Sequence, residues 1–248
     1  MTVTTATGGR LVRNAMLATL GRRVTGPERT RIACIEALRR ELAASEEVIE
    51  RVDFGAGEGV PLADSAHHDG VTVRQTVGEF CRRSSVGPLW SRLLLNLVRE
   101  ARPAHALELG TALGISAAYQ GTALELNGHG RLVTIEGARP FATIAGRNLE
   151  RLGIDCVEVV TGRFLEALPA VLDGLRPLDY AYVDGHHDGR ATLEYFEMLL
   201  DAVEGPAVLV FDDIGISAGM RGAWVAITRH PRVGLAVSLR KLGVCEVR

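Results

Sequence analysis

The chain has 248 residues, 47% of them hydrophobic and 23% charged. This is the balance of a soluble globular protein, and it excludes a disordered chain, a collagen or a bare coiled coil. The 28 Lys and Arg residues and the 30 Asp and Glu residues leave a formal charge of −2. We therefore expect neither a nucleic-acid partner nor an anionic membrane partner.

The four cysteines, Cys34, Cys81, Cys156 and Cys245, lie far apart and form no CxxC pair. This spacing argues against a disulfide framework and against a structural zinc site, and it favours reduced thiols. The N-terminus lacks the basic stretch and apolar core of a signal peptide, and the longest apolar runs are too short to span a bilayer. We therefore expect a cytoplasmic protein.

The sequence pattern of the first part of the chain predicts helices joined by loops. Residues 1–9 are small and polar, and we expect them to be loose. A helix is expected to begin at Thr25, because Thr25 can cap it, Pro27 suits its first turn and Glu28 completes the spacing of a capping box. Further predictions are a loop over 53–71 and helices over 73–82 and 88–101.

From residue 104 onward, short apolar runs alternate with helical segments. The apolar runs lie at 106–109, 132–135, 157–160, 180–183 and 207–211, and the helical segments at 114–126, 140–152, 164–174, 189–203 and 219–229. This alternation predicts βαβ units, hence a mostly parallel, twisted sheet with helices on both faces. The runs 235–239 and 244–247 are expected to form a closing antiparallel pair. The predicted fold class is therefore α/β and Rossmann-like, with an N-terminal helical extension.

Two glycine-rich segments compete for the role of ligand loop. The segment 53–59 follows residues 46–51, which are charged and helical in texture, so we interpret it as a loop after a helix. The segment 108–116 follows an apolar strand and opens a helix, whose free N–H groups can bind a negatively charged group. We therefore predict the second segment, with Gly110 and Gly114, as the ligand loop.

The strand after this loop ends in Glu136, and a carboxylate there can accept hydrogen bonds from both hydroxyls of a ribose. Dinucleotide sites favour the pattern GxGxxG, whereas this loop has Thr111 and Ala112 after its first glycine. Such a loop fits a pyrophosphate poorly and suits a nucleoside that carries one carboxylate, as S-adenosylmethionine (SAM) does. The alternatives are an NAD-binding oxidoreductase and an α/β domain without a nucleotide.

Four motifs stand in the order that such a site requires. They are Glu-Leu-Gly-Thr-x-x-Gly-x-Ser at 108–116, Val-Thr-Ile-Glu at 133–136, Val-Asp-Gly-His-His at 183–187 and Val-Phe-Asp-Asp at 210–213. Together they resemble the class I SAM-dependent methyltransferases, and more narrowly the catechol O-methyltransferase-like group and the bacterial methyltransferases with an Asp-Gly-x-His motif. We expect a methyltransferase domain over 81–248. The extension over 1–80 is expected to serve as a substrate lid or as a homodimer contact.

The resemblance implies a set of cofactor-binding residues. The segment Ser84–Val86 would line the methionine end of SAM, Glu136 would hold the ribose, and Arg163 and Phe164 would lie beside the adenine, although Phe164 can equally be a core residue. The full predicted set is Ser84, Ser85, Val86, Glu108, Gly110, Thr111, Gly114, Ser116, Glu136, Gly137, Arg163, Phe164 and Asp184.

Three carboxylates follow two of the predicted strands: Asp184 ends one, and Asp212 and Asp213 end another. Ligands of a parallel sheet lie off the carboxyl ends of its strands, and carboxylates that converge there repel each other unless a cation lies among them. A divalent cation such as Mg²⁺ is the simplest choice, and the resemblance implies these three positions as its ligands. The catechol enzymes have Asn at the position of Asp213. The alternative is that Asp213 caps the following segment and Asp212 bonds backbone amides.

His187 and Asp184 form the predicted catalytic pair, with His186 as a bystander. A neutral imidazole can take the proton of a substrate hydroxyl near pH 7 while the methyl group arrives. The catechol enzymes have Lys at this position. The expected function is SAM-dependent O-methylation of a small hydroxylated metabolite, assisted by a divalent cation and stopped by its chelation. The alternatives are an NAD oxidoreductase and a SAM-binding protein without catalysis.

Overall fold

Helices and strands make up most of residues 8–21, 25–53 and 70–248, which are the residues described by the structure, a computed structural model. The helices are α1 (Gly8–Leu20), α2 (Gly26–Ala43), α3 (Val77–Ser84), α4 (Pro88–Ala101), α5 (Ile115–Asn127), α6 (Arg139–Arg151), α7 (Phe164–Gly174), α8 (Gly189–Ala202) and α9 (Ala218–Arg229). The strands are β1 (Val48–Asp53), β2 (Val71–Thr76), β3 (His105–Leu109), β4 (Arg131–Glu136), β5 (Val157–Thr161), β6 (Tyr180–Val183), β7 (Ala207–Phe211), β8 (Val233–Leu239) and β9 (Leu242–Val247). Within these ranges, none of the helices has the length and apolar character that crossing a membrane requires.

A sheet of seven strands in the order β5-β4-β3-β6-β7-β9-β8 forms the centre of the fold. Strands β3 to β7 run parallel, and β9 runs antiparallel to both β7 and β8. The predicted α/β Rossmann-like fold and its closing antiparallel pair are therefore confirmed. The strand order reverses between β3 and β6, and the crevice at such a switch point is where open α/β sheets bind ligands.

Both faces of the sheet are buried, as the unbroken apolar runs predict. In β6, Tyr180 and Tyr182 belong to the core on one face, and Ala181 and Val183 belong to the core on the other. Side chains that alternate between two buried faces leave few polar positions inside a strand, so most of the polar side chains open to a ligand are expected at the strand ends. The five predicted parallel strands agree with the structure to within one residue at each end.

The N-terminal part agrees with the predictions only in places. Thr25 caps α2 and accepts a hydrogen bond from the Glu28 N–H, as expected, but α2 ends at Ala43. Residues 46–51 were interpreted as helical in texture, but 48–53 form strand β1, and the predicted helix over 73–82 begins only at Val77 because 71–76 form β2. The valines of these two short segments favour a strand once each finds an antiparallel partner in the other.

Two earlier predictions concern residues outside the described ranges: the glycine segment 53–59, except Asp53 itself, and most of the loop over 53–71. Helix α1 was not predicted; it buries Val12 and Ala15 in the core that also contains α4. The N-terminal elements are bonded to the rest of the fold, since Arg39 of α2 donates to the Val86 carbonyl oxygen at 2.7 Å. A domain boundary at residue 80 stays a prediction.

Substitution of Gly110 tests how closely the backbone packs at the switch point. Its φ is +102°, and a Cβ atom built there would lie 2.0 Å from the carbonyl oxygen of Asp184. We expect Gly110→Ala to lower the free energy of unfolding by at least about 2 kcal/mol, measured by urea denaturation, because both the backbone angle and the space oppose a side chain.

Gly146→Ala is the matched control for that substitution. Gly146 lies inside α6, and a Cβ there would have no neighbour within 4 Å. The control should raise stability by about 0.5–1 kcal/mol, because alanine favours a helix interior. A Gly110→Ala protein as stable as the wild type would contradict the close approach described here.

Candidate active site

The predicted ligand loop passes between the ends of β3, β4 and β6. The Gly110 N–H donates to the Ile135 carbonyl oxygen at 3.0 Å, and the Asp184 N–H donates to the Leu109 carbonyl oxygen at 2.8 Å. Gly110, Ala112 and Gly114 all have positive φ, at +102°, +48° and +81°. The loop therefore turns tightly against the end of β6, which brings the predicted cofactor loop next to Asp184.

The carboxylate of Glu136 binds backbone N–H groups of the same loop and of the turn after β4. One carboxylate oxygen accepts the Ala112 N–H and the other accepts the Ala138 N–H, both at 2.8 Å. Burial raises the pKa of Glu136, while these backbone bonds and the charge of Arg51 oppose the rise. Each oxygen keeps one more lone pair, so the carboxylate can accept the two hydroxyls of a ribose without losing its backbone bonds.

A buried polar network supports the loop from beneath. Glu108 has no exposed surface, and it accepts hydrogen bonds from Gln120 at 2.8 Å and from Thr134 at 2.6 Å. The hydroxyl of Thr111 lies 2.6 Å from that of Thr134, and Ser116 also bonds to Glu108. The structure thus places Glu108 and Thr111, both predicted cofactor residues, underneath the loop and not on its open side.

The three predicted carboxylates do converge, and a tyrosine joins two of them. The Tyr182 hydroxyl lies 2.8 Å from an Asp184 oxygen and 3.0 Å from an Asp212 oxygen. A hydroxyl has one proton, so it can donate to only one of these carboxylates at a time. Burial, followed by repulsion from Asp212, raises the pKa of Asp184 well above its usual value. A proton on Asp184 would complete the chain of hydrogen bonds to Asp212.

Lys241 provides the positive charge at this cluster, and the sequence analysis missed it. Its ammonium nitrogen lies 2.8 Å from an Asp212 oxygen and 3.7 Å from an Asp213 oxygen. Burial alone would lower the pKa of Lys241, but the attraction and hydrogen bond to Asp212 outweigh it and raise the pKa. The only signal in the sequence is that Lys241 is its single lysine.

The expected magnesium site does not fit this arrangement. In residues 8–21, 25–53 and 70–248, no three His, Cys, Asp or Glu side chains are grouped as a metal ion requires. Carboxylate oxygens are suitable ligands for Mg²⁺, but here an ammonium group already bonds to Asp212 and lies beside Asp213. Asp184 is turned toward Tyr182 instead.

The predicted base lies on a strained turn next to the cluster. His186 and His187 both have positive φ, at +66° and +49°, which is uncommon for residues other than glycine and is concentrated at functional sites. The His187 Nε2 atom lies 3.9 Å from an Asp184 oxygen, and 32% of its side chain is exposed. His186 lies 2.7 Å from the Tyr195 hydroxyl, so it anchors the turn while His187 faces the site.

The remaining predicted residues lie on several elements around the sheet. The ring of Phe164 packs against Gly185 and makes an edge-to-face contact with Tyr195 at 5.7 Å, and Arg163 caps α7. Gly137 lines a cleft of about 270 Å³ beside β1. Ser84 and Ser85 connect α3 to the turn before α4, where Val86 is held by Arg39.

Arg51 is a second residue that the sequence analysis missed. It lies on β1, over the rings of Phe80 and Phe141 at 5.5 and 5.1 Å, and it pairs with Asp53 at 3.0 Å. Its charge acts on the carboxylate of Glu136. The hairpin of β1 and β2 therefore contributes to the electrostatics of the predicted ribose site, although its sequence carried no motif.

The pKa of Glu108 predicts a pH-dependent stability. Burial raises this pKa from its ordinary value of 4.5 to about 7, so Glu108 favours the folded state while protonated and loses that contribution as the pH rises from 4.5 through 7. Glu108→Gln cannot ionise, so its stability relative to wild type should increase by roughly 3 kcal/mol between pH 4.5 and pH 8.

Thermal or urea unfolding across that pH range measures the difference. Glu158→Gln, the same substitution at an exposed position of strand β5, is the control. Parallel stability profiles for wild type and Glu108→Gln would contradict a buried carboxyl with a raised pKa.

Known proteins share both the sequence motifs and this fold. Residues 107–214 match a methyltransferase domain family. A catechol O-methyltransferase of Niastella koreensis is 31% identical over 132 residues, which make up 52% of this chain and 58% of that protein. The chain therefore matches somewhat more than half of that relative's length.

Two solved structures agree over a larger share. An O-methyltransferase from Bacillus cereus in complex with SAH has a TM-score of 0.59 and 26% identity, covering 67% of this chain and 84% of that one. The O-methyltransferase TomG from Streptomyces achromogenes, involved in tomaymycin synthesis and solved with SAM, has a TM-score of 0.58 and 29% identity, covering 66% and 81%. Residues 107–214 thus form a methyltransferase domain, and in its motifs and fold the chain resembles the class I SAM-dependent O-methyltransferases of the catechol O-methyltransferase-like family.

Proposed function

We propose that this protein transfers the methyl group of SAM to a hydroxyl group of a small metabolite. The observation that carries the proposal is the contact between two chemically different halves of one site. The glycine loop and Glu136 form a half that suits a nucleoside, and the turn with Asp184 and His187 forms a half that suits proton transfer. Gly110 brings the two halves into van der Waals contact.

The chain's own residues would hold the cofactor along the strand ends. Glu136 bonds the ribose, and the first turn of α5, which starts at Ile115 and has no side-chain cap, offers its backbone N–H groups to the carboxylate of the methionine end. Ser84, Ser85, Val86, Ser116, Gly137, Arg163 and Phe164 complete the proposed set. When bound, SAM supplies a sulfonium methyl group that a nucleophilic oxygen can accept.

His187 would remove the proton from the acceptor hydroxyl. Its imidazole is partly exposed, so a substrate can reach it, and it lies 3.9 Å from Asp184 at the edge of the acidic cluster. The negative charge of that cluster stabilises the imidazolium that forms when the proton arrives. The enclosing loops align the oxygen with the methyl group and exclude water, which supplies the entropic part of catalysis.

The proposed acceptor is a small hydroxylated compound. The names of the relatives support this class, because one is a catechol O-methyltransferase and another takes part in tomaymycin synthesis. All four cysteines are free thiols, which supports a reducing compartment such as the cytoplasm. Leu17 and Leu20 of α1 are more than half exposed and would supply apolar contacts for the predicted homodimer.

Glu136→Ala tests the cofactor half of the proposal. The substitution removes the acceptor of two charge-assisted ribose bonds, so SAM should bind more weakly by about 1–3 kcal/mol in isothermal titration calorimetry. Glu150→Ala, an exposed acidic residue on α6, is the control and should leave SAM affinity unchanged. Unaltered affinity in Glu136→Ala, or tighter binding of NAD than of SAM by the wild type, would overturn this placement.

His187→Ala tests the catalytic half. With a methyl acceptor found by screening hydroxylated metabolites against labelled SAM, kcat should fall by roughly 10²–10⁴-fold, and the residual rate should rise with pH as hydroxide replaces the base. SAM affinity should stay close to that of wild type. His129→Ala is the control, because His129 lies just before β4, at the amino-terminal ends of the parallel strands and therefore opposite the strand ends that carry His187. A His187→Ala rate equal to that of His129→Ala would remove His187 from this role.

A further inference from the structure

The acidic cluster at the ends of β6 and β7 contains its own cation. Asp212 is almost completely buried, and its carboxylate accepts one hydrogen bond from Tyr182 and another from Lys241. Lys241 also reaches Asp213 at 3.7 Å. The ammonium group therefore occupies the position between Asp212 and Asp213 that a bound cation would need.

The backbone holds Lys241 in this position. Arg240 and Lys241 form the two-residue turn between β8 and β9, and Arg240 has a φ of +59°, where glycine is the usual residue of such turns. The Lys241 carbonyl oxygen accepts the Ile214 N–H at 3.0 Å, so the turn is tied to the loop that carries Asp213. The backbone of this turn is therefore fixed, and it positions the ammonium group beside the carboxylates.

The choice of lysine at this position is selective. Lys241 is the one lysine among the 28 Lys and Arg residues of the chain, and all the others are arginines. An ammonium group is a compact charge with three donors, whereas a guanidinium is a wide planar fork. The compact group suits the space between two neighbouring carboxylates that a small cation would otherwise fill.

We propose that Lys241 takes the place of a divalent metal at the Asp184, Asp212 and Asp213 cluster, so that this protein does not require magnesium. A divalent ion bound by Asp212 and Asp213 would have to break the 2.8 Å bond to Lys241 and would be repelled by the displaced ammonium. The part of the inference that concerns catalysis rests on the proposed methyl transfer. The part that concerns metal binding does not.

Titration of the full chain with Mn²⁺, followed by the electron paramagnetic resonance signal of the free ion, tests the metal-binding part. Wild type should leave Mn²⁺ free into the millimolar range. Lys241→Met, which keeps an unbranched side chain of nearly the same length and removes its charge, should bind at least about tenfold more tightly. Lys241→Met combined with Asp212→Asn should lose the gained affinity.

Two results of that titration would overturn the proposal. One is saturable binding by wild type that Asp212→Asn removes, because the ammonium would then not exclude the metal. The other is a folded Lys241→Met protein that binds Mn²⁺ no more tightly than wild type, because Lys241 would then be an ion pair of structural importance only.

A measurement on the wild-type protein keeps the test independent of the variants. Because the chain has one lysine, labelling with ¹³Cε-lysine gives a single side-chain resonance in NMR spectra. Mg²⁺ should leave that resonance in place, and a saturable shift on addition of Mg²⁺ would show that the ammonium gives way to the metal and would overturn the proposal.

With a methyl acceptor in hand, EDTA should leave the wild-type rate unchanged. Lys241→Met should lose activity and regain part of it when Mg²⁺ is added. A wild-type rate abolished by EDTA and restored by Mg²⁺ would overturn the proposal. If no acceptor is methylated although SAM binds, the proposed function fails, while the Mn²⁺ titration and the NMR measurement still decide the role of Lys241.

Discussion

A backbone contact with no room for a side chain determines the geometry of the whole site. Gly110 lies against the carbonyl group of Asp184, so the loop after β3 and the turn after β6 are fixed relative to each other. The contact exists because β3 and β6 are hydrogen-bonded neighbours at the point where the strand order reverses. The half of the site proposed for the nucleoside and the half proposed for proton transfer therefore share one frame.

Two networks of ionisable side chains, each with a buried carboxyl group, lie next to that frame. Glu108 lies beneath the loop with hydrogen bonds to Gln120 and Thr134, and its raised pKa reflects the removal of water from the carboxyl. At the other end of the site, Tyr182 links Asp184 to Asp212, whose charge is balanced by Lys241. Glu108 and Asp212, which lie at the centre of the two networks, are almost completely buried, so each depends on its hydrogen-bond and charge partners.

The sequence predicted the sheet and the positions of Asp184, His187 and Asp212 because a strand buried on both faces must be apolar until it ends. Their convergence follows from parallel strand direction alone. Lys241 was not predictable in the same way, since its approach requires β9 to pair antiparallel with β7 and so to return the hairpin turn to the site. Strand β1 was missed because its charged residues resemble a helix, and its partner β2 lies beyond a long intervening segment.

The position of Arg51 has a consequence for how this fold can be dissected. An excised domain beginning at residue 81 would keep every motif of the family, yet it would lack Arg51 and Phe80, together with the hairpin beside Gly137. Glu136 would then face solvent on one side and lose a neighbouring positive charge. The motifs alone do not make an autonomous unit: grafting them onto another N-terminal segment would require a new cation in place of Arg51 and a new aromatic partner for Phe141 in place of Phe80.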